Sequence, residues 1–112
     1  MTSQADYQQL LQTFNRMRQE IANVYQQISE LEQERTEHKL VINTLDGLDE
    51  GRRAFRLVGG VLCEQTVGQV LPEVTQNDQR IFSVMEKLSK VLEEKEQEMD
   101  EFSRKHNISV KK

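Results

Sequence analysis

Few residues in this chain could make or break a bond: one thiol, Cys63, two imidazoles, His38 and His106, and a Gly59-Gly60 pair. A reactive cysteine needs a base or a positive neighbour to form its thiolate. Zinc needs several ligands at tight spacing, and a general base needs a nucleophile to serve and a carboxylate to orient it. None of these arrangements is present. The histidines stand 68 positions apart, and neither has a nucleophile at a recognisable spacing. Cys63 lies in an apolar, β-prone run and reads as a small packing residue; being single, it makes no internal disulfide. Gly59-Gly60 lacks the glycine spacing and the Lys-Ser/Thr ending of a phosphate loop. Asn107-Ile108-Ser109 fits a glycosylation sequon, but the polar start MTSQADYQQL shows no secretory signal, so the match reads as chance and an intracellular protein is expected. No catalytic, cofactor-binding or metal site is expected, and the chain does not read as an enzyme.

The remaining chemistry is that of surfaces. Hydrophobic residues are 36% of the 112 and aromatics 5%, too little for a thick core. Leu, Glu, Gln, Lys, Arg and Ala supply half the chain, a strong bias to helix. The longest nearly apolar run, Leu57 to Cys63, is far short of the roughly 20 residues a spanning helix needs. A net charge of −4 argues against general affinity for nucleic acid or an anionic membrane. Protein partners are expected.

Two elements must position whatever surface the protein uses. Alternate steps of three and four from Tyr7 meet Leu10, Phe14, Met17, Ile21, Val24, Ile28, Leu31, Arg35, His38, Ile42 and Leu45, ten of the twelve being apolar. That is a heptad seam, and it predicts a helix over about residues 4–48, with Ser3 and Asp6 as a capping box. A second seam runs from Val67 through Leu71, Val74, Asp78, Ile81, Met85, Leu88, Leu92, Lys95, Met99 and Phe102 to His106. It predicts a helix over about 66–106, opened by a Thr66/Gln69 capping box. Pro72 removes a backbone donor and crowds the carbonyl of Gly68, so a kink or a short separate turn is expected near it.

Between the arms the three-to-four spacing disappears. Two β-prone runs flank Gly59-Gly60, a hairpin signal because both turn residues can take positive φ. The hairpin is expected over about 53–65, with Val58 opposite Val61 and Leu57 opposite Leu62. Those pairs put apolar side chains on both faces. An isolated two-stranded hairpin is marginal in water and its free edges invite further strands, so a larger sheet shared with other chains is its natural completion. Phe55, Leu57, Val58, Val61 and Leu62 are therefore the candidate assembly residues, the alternative being that they pack on their own helices.

The fold class expected is mainly α: a long antiparallel coiled-coil helical hairpin in one domain, with the β-hairpin at its closed end. One register pairs residues whose numbers sum to 116, setting Leu45 against Leu71, Ile42 against Val74 and Met17 against Met99. It also opposes His38 and Asp78, a candidate polar layer that fixes register at some cost in stability.

The stretches FNRMRQE (Phe14 to Glu20), EHKLVINTL (Glu37 to Leu45), FRLVGGVLCEQTVGQVLP (Phe55 to Pro72) and KHNI (Lys105 to Ile108) together resemble the β-type subunits of prefoldin. The resemblance spans nearly the whole chain. The VGGVL hairpin followed by TV and VLP is its specific part; Phe55 departs from a commoner tyrosine and Cys63 from a usual valine. The resemblance implies an ATP-independent, cytoplasmic holdase in which two α-type and four β-type subunits join hairpins into a β-barrel platform. It also implies that the free ends of the coiled coils hold unfolded actin, tubulin and other clients and dock on the cytosolic chaperonin. On that basis Tyr7, Leu10, Leu11, Phe14, Met99 and Phe102 are the candidate client-binding residues. Phe14 and Phe102 also continue the seam and oppose each other in the 116 register, whereas Leu11 falls outside it. The competing reading is a structural coiled-coil adaptor or tether without client activity; the hairpin separates the two, since a tether needs only a tight turn there.

Overall fold

The computed structural model describes residues 4–108 in the order α1 (Gln4–Leu45), β1 (Arg53–Val58), β2 (Val61–Thr66) and α2 (Val67–Lys105). It is mainly helical, with two long helices and an antiparallel two-stranded hairpin between them. The chain divides into two compact units, one formed by the stretch up to Glu30 with the stretch from Met85 onward, the other by Leu31–Val84.

In the first unit the α1 seam supplies the most buried residues, Phe14, Ile21 and Val24, with Leu10, Met17 and Ile28 half-buried. From α2 come Leu88, Leu92, Met99 and Phe102, also half-buried. Polar groups tie the two helices at their margins: Lys95 Nζ lies 3.1 Å from Glu20 Oε2, and the Tyr25 hydroxyl donates to Glu96 Oε1 at 2.8 Å. α2 ends on a Schellman motif. Asn107 takes the left-handed conformation (φ 56°), the Ile108 amide donates to the Ser103 carbonyl at 2.9 Å, and the Asn107 amide donates to that of Arg104. The sequon asparagine is thus a helix terminator. The amino-terminal capping box cannot be followed in the same way, because Ser3 lies outside the described residues.

In the second unit Val67, Val70 and Val74 of α2 are the buried core, with Leu31, Ile42, Leu45 and Leu48 half-buried opposite. α1 stops at Leu45, slightly before the expected end, because Gly47 turns left-handed (φ 84°) and the Leu48 amide folds back to the Leu45 carbonyl at 3.1 Å. α2 runs unbroken through Pro72, so no separate turn forms. Pro72 falls in the second turn, where only one intrahelical bond is forgone and three buried valines, Val67, Val70 and Val74, flank it.

The first amides of α2, which no helical carbonyl can satisfy, are taken up from both sides. The Val67 amide donates to the Arg52 carbonyl and the Gly68 amide to the Glu50 carbonyl, each at 2.9 Å. The Thr66 amide donates to Gln69 Oε1 at 3.0 Å, the reciprocal half of the expected capping box. Gly68 fits this clasp closely: a Cβ there would lie 3.3 Å from both the Glu50 carbonyl oxygen and Glu50 Cβ, a crowded contact.

Candidate assembly surface

β1 and β2 pair with Val58 opposite Val61, Leu57 opposite Leu62 and Arg56 opposite Cys63. Gly59 and Gly60 both have positive φ, 57° and 81°, the combination of a type I′ turn whose twist matches the strands. Alternation then sorts the side chains. Ala54, Arg56, Cys63 and Gln65 are half-buried on one face; Phe55, Leu57, Leu62 and Glu64 project from the other and are exposed.

All five candidate assembly residues are exposed, from 53% for Val58 to 70% for Leu57. Phe55, Leu57 and Leu62 lie on one face and Val58 and Val61 on the other, beside the turn of a sheet that has two strands among the described residues. Large apolar side chains this exposed at one hairpin make it the candidate interaction surface. Charged pairs border these side chains: Arg53 lies 3.1 Å from Glu64 across the strands, and Arg56 reaches Glu73 of α2 at 2.9 Å.

The candidate client residues differ in accessibility. Tyr7 is 51% exposed, Leu10, Leu11, Met99 and Phe102 are half-buried, and Phe14 is enclosed at 4%. The Phe102 ring lies 4.6 Å from that of His106 at the close of α2.

The polar layer brings His38 and Asp78 side by side and adds Arg35, which the sequence reading did not place there. His38 Nδ1 stands 3.9 Å from Asp78 Oδ1, but the carboxylate is gripped by Arg35, Nε to Oδ1 at 3.2 Å and Nη2 to Oδ2 at 3.3 Å. The same guanidinium lies 4.7 Å over the Phe82 ring, a cation–π contact. His38 Nδ1 is enclosed without a hydrogen-bond partner. Arg35 and His38 sit one turn apart on the same face, so either could reach Asp78. The planar fork of arginine fits a carboxylate better than one imidazole nitrogen does.

Among the described residues no group of three or more His, Cys, Asp or Glu could hold a metal ion, and no helix is long and apolar enough to cross a membrane.

Residues 8–112 match the family described as Prefoldin subunit. The chain is 46% identical over 103 residues to prefoldin subunit 2 of Homo sapiens, covering 92% of this chain and 67% of the relative. The chain belongs to the prefoldin subunit family. It is also 37% identical to a probable prefoldin subunit 2 of Schizosaccharomyces pombe, over 98% of this chain and 97% of that one. Its fold matches the crystal structure of the prefoldin β subunit from Thermococcus strain KS-1 with a TM-score of 0.78, at 17% identity, covering 94% and 93% of the two chains. Prefoldin subunits are chaperone components that assemble with other prefoldin subunits.

Proposed function

We propose that this chain is a β-type subunit of a hexameric prefoldin. Its hairpin joins α-type and β-type neighbours, and the assembly holds unfolded proteins such as actin and tubulin without ATP and passes them to the cytosolic chaperonin in the cytoplasm. The observation that carries this reading is the hairpin, five large apolar side chains exposed on a sheet that has no third strand. Leaving such a surface in water costs about 25 cal/mol for each Å² of apolar area, a strong drive to cover it with other chains.

Client capture is assigned to the first unit, at residues near the two termini of the sequence. Tyr7, Leu10 and Leu11 offer accessible apolar surface there, and Met99 and Phe102 offer part of theirs. Phe14 serves through packing, its ring being enclosed. Each group contributes weakly, so several subunits acting together supply the affinity.

Native mass spectrometry of the chain alone and mixed with an α-type prefoldin subunit tests the assembly. A discrete mixed complex is expected. A closed species formed by this chain alone that ignores the α-type subunit refutes the reading and favours the tether. Removing residues 1–11 is expected to weaken suppression of client aggregation while leaving the complex intact.

A further inference from the structure

Apolar spacing alone leaves open which helix pairs with which. The seams of α1 and α2 repeat at the same three-to-four steps, so by hydrophobic pattern α1 of one chain fits α1 of a second as well as it fits its own α2. Several such chains gathered in one assembly raise the local concentration of every seam, and with it the scope for pairing the wrong helices. Something other than apolar contact must choose.

The charged layer of the second unit makes the two helices different. Arg35 stands on the α1 seam and donates twice to Asp78 on the α2 seam, at 3.2 and 3.3 Å, and both side chains are half-buried. His38, one turn along the same face, keeps its enclosed Nδ1 3.9 Å from Asp78 Oδ1 and takes no hydrogen bond there. The guanidinium also covers Phe82, again of α2. The groups that satisfy Arg35 thus come from α2, and the twelve seam positions of α1 from Tyr7 to Leu45 hold no acidic residue. Stability does not explain such a layer, because apolar side chains of similar volume in its place are often as stable or more so. What it alters is the cost of the alternatives. Two α1 seams laid together leave both arginines without a seam carboxylate, whereas α1 against α2 leaves none unpaired.

We propose that the Arg35–Asp78 layer selects the partner of α1: it admits α2 and bars the α1 seam of a neighbouring chain. The inference rests on the assembly reading, which brings the chains together, and adds to it that a residue pair outside the hairpin keeps like helices of different chains apart.

The test carries Cys63→Ser and Leu31→Cys throughout, so that a disulfide between chains reports α1 seams meeting at position 31. Mild oxidation is applied to the lone chain and to its mixture with a cysteine-free α-type subunit, after circular dichroism has shown unchanged helix content. Adding Arg35→Met with Asp78→Leu is expected to raise the cross-linked fraction roughly tenfold, since like charges set face to face are what opposed the contact. Exchanging the charges, Arg35→Asp with Asp78→Arg, keeps a pair across the two helices and should hold the cross-link at the level of the original layer. An unchanged fraction in the apolar variant overturns the proposal. So does an equal rise in both variants, which would report loosened packing instead. Native mass spectrometry of the same mixtures reads assembly separately: a chain with the original layer that never joins the α-type subunit refutes the assembly reading, whereas a normal complex with no rise in cross-link refutes the layer alone.

Discussion

Arg35 grips Asp78 with two parallel hydrogen bonds, 3.2 and 3.3 Å, from the opposite helix of the same unit. Both side chains are largely screened from water, 22% and 14% exposed. Removing one partner strands the other charge in a poorly solvated place. Arg35→Met or Asp78→Leu alone should each lower stability by about 1–3 kcal/mol. The double variant should recover most of the loss. Chemical denaturation with a double-mutant cycle checks this, and a loss in the double variant equal to the sum of the two single losses would exclude coupling.

Tyr25 gives the molecule a pH dependence at alkaline values. Its hydroxyl donates to Glu96, and that hydrogen bond, then the carboxylate charge, then slight burial raise its pKa above the ordinary 10.0. A folded-state pKa above the unfolded one means the contact stabilises fully below about pH 10. The contribution disappears as pH climbs through the raised value. Ultraviolet titration of phenolate should show a late phase that Tyr25→Phe abolishes; an unchanged titration would contradict the bond to Glu96.

Gly68→Ala sets two effects against each other. Alanine favours a helix over glycine by about 1 kcal/mol, yet its Cβ would come 3.3 Å from the Glu50 carbonyl oxygen, which the Gly68 amide itself holds. That oxygen retreats only by stretching the 2.9 Å bond, so crowding outweighs the helix preference and the melting temperature should fall. A rise would mean that the clasp is slack.

Asn107→Ala should cost about 1 kcal/mol, since alanine enters the left-handed region less readily than asparagine. Asn107→Gly should match or exceed the original protein. Hydrogen exchange in the last turns of α2 separates these outcomes.

The helices and the hairpin register were legible because side-chain period and backbone geometry are directly linked. The burial of Phe14, Ile21, Val24 and Val74 follows the three-to-four spacing, and Gly59-Gly60 dictates the pairing of Val58 with Val61. The partner of Asp78 was not legible. Arg35 and His38 occupy one face, and the choice between them depends on fork geometry rather than spacing. The clasp of Glu50 and Arg52 on α2 escaped as well, since periodicity is silent about the route of an irregular connector. The seat of Asn107 was open to reading, an asparagine followed by an apolar residue at a helix end being a known stop signal.

The bond from the Val67 amide to the Arg52 carbonyl closes the chain on itself at the foot of the hairpin, where Gly68 and Glu50 add a second tie. Residues 53–66 therefore leave the helical body and return to it at one anchored point. Arg56, paired with Glu73 of α2 at 2.9 Å, ties the strands back to that body a second time, above the closed foot. A few backbone bonds thus fix where the hairpin departs and returns, and the fourteen residues between them are closed into a loop whose length the helices do not set.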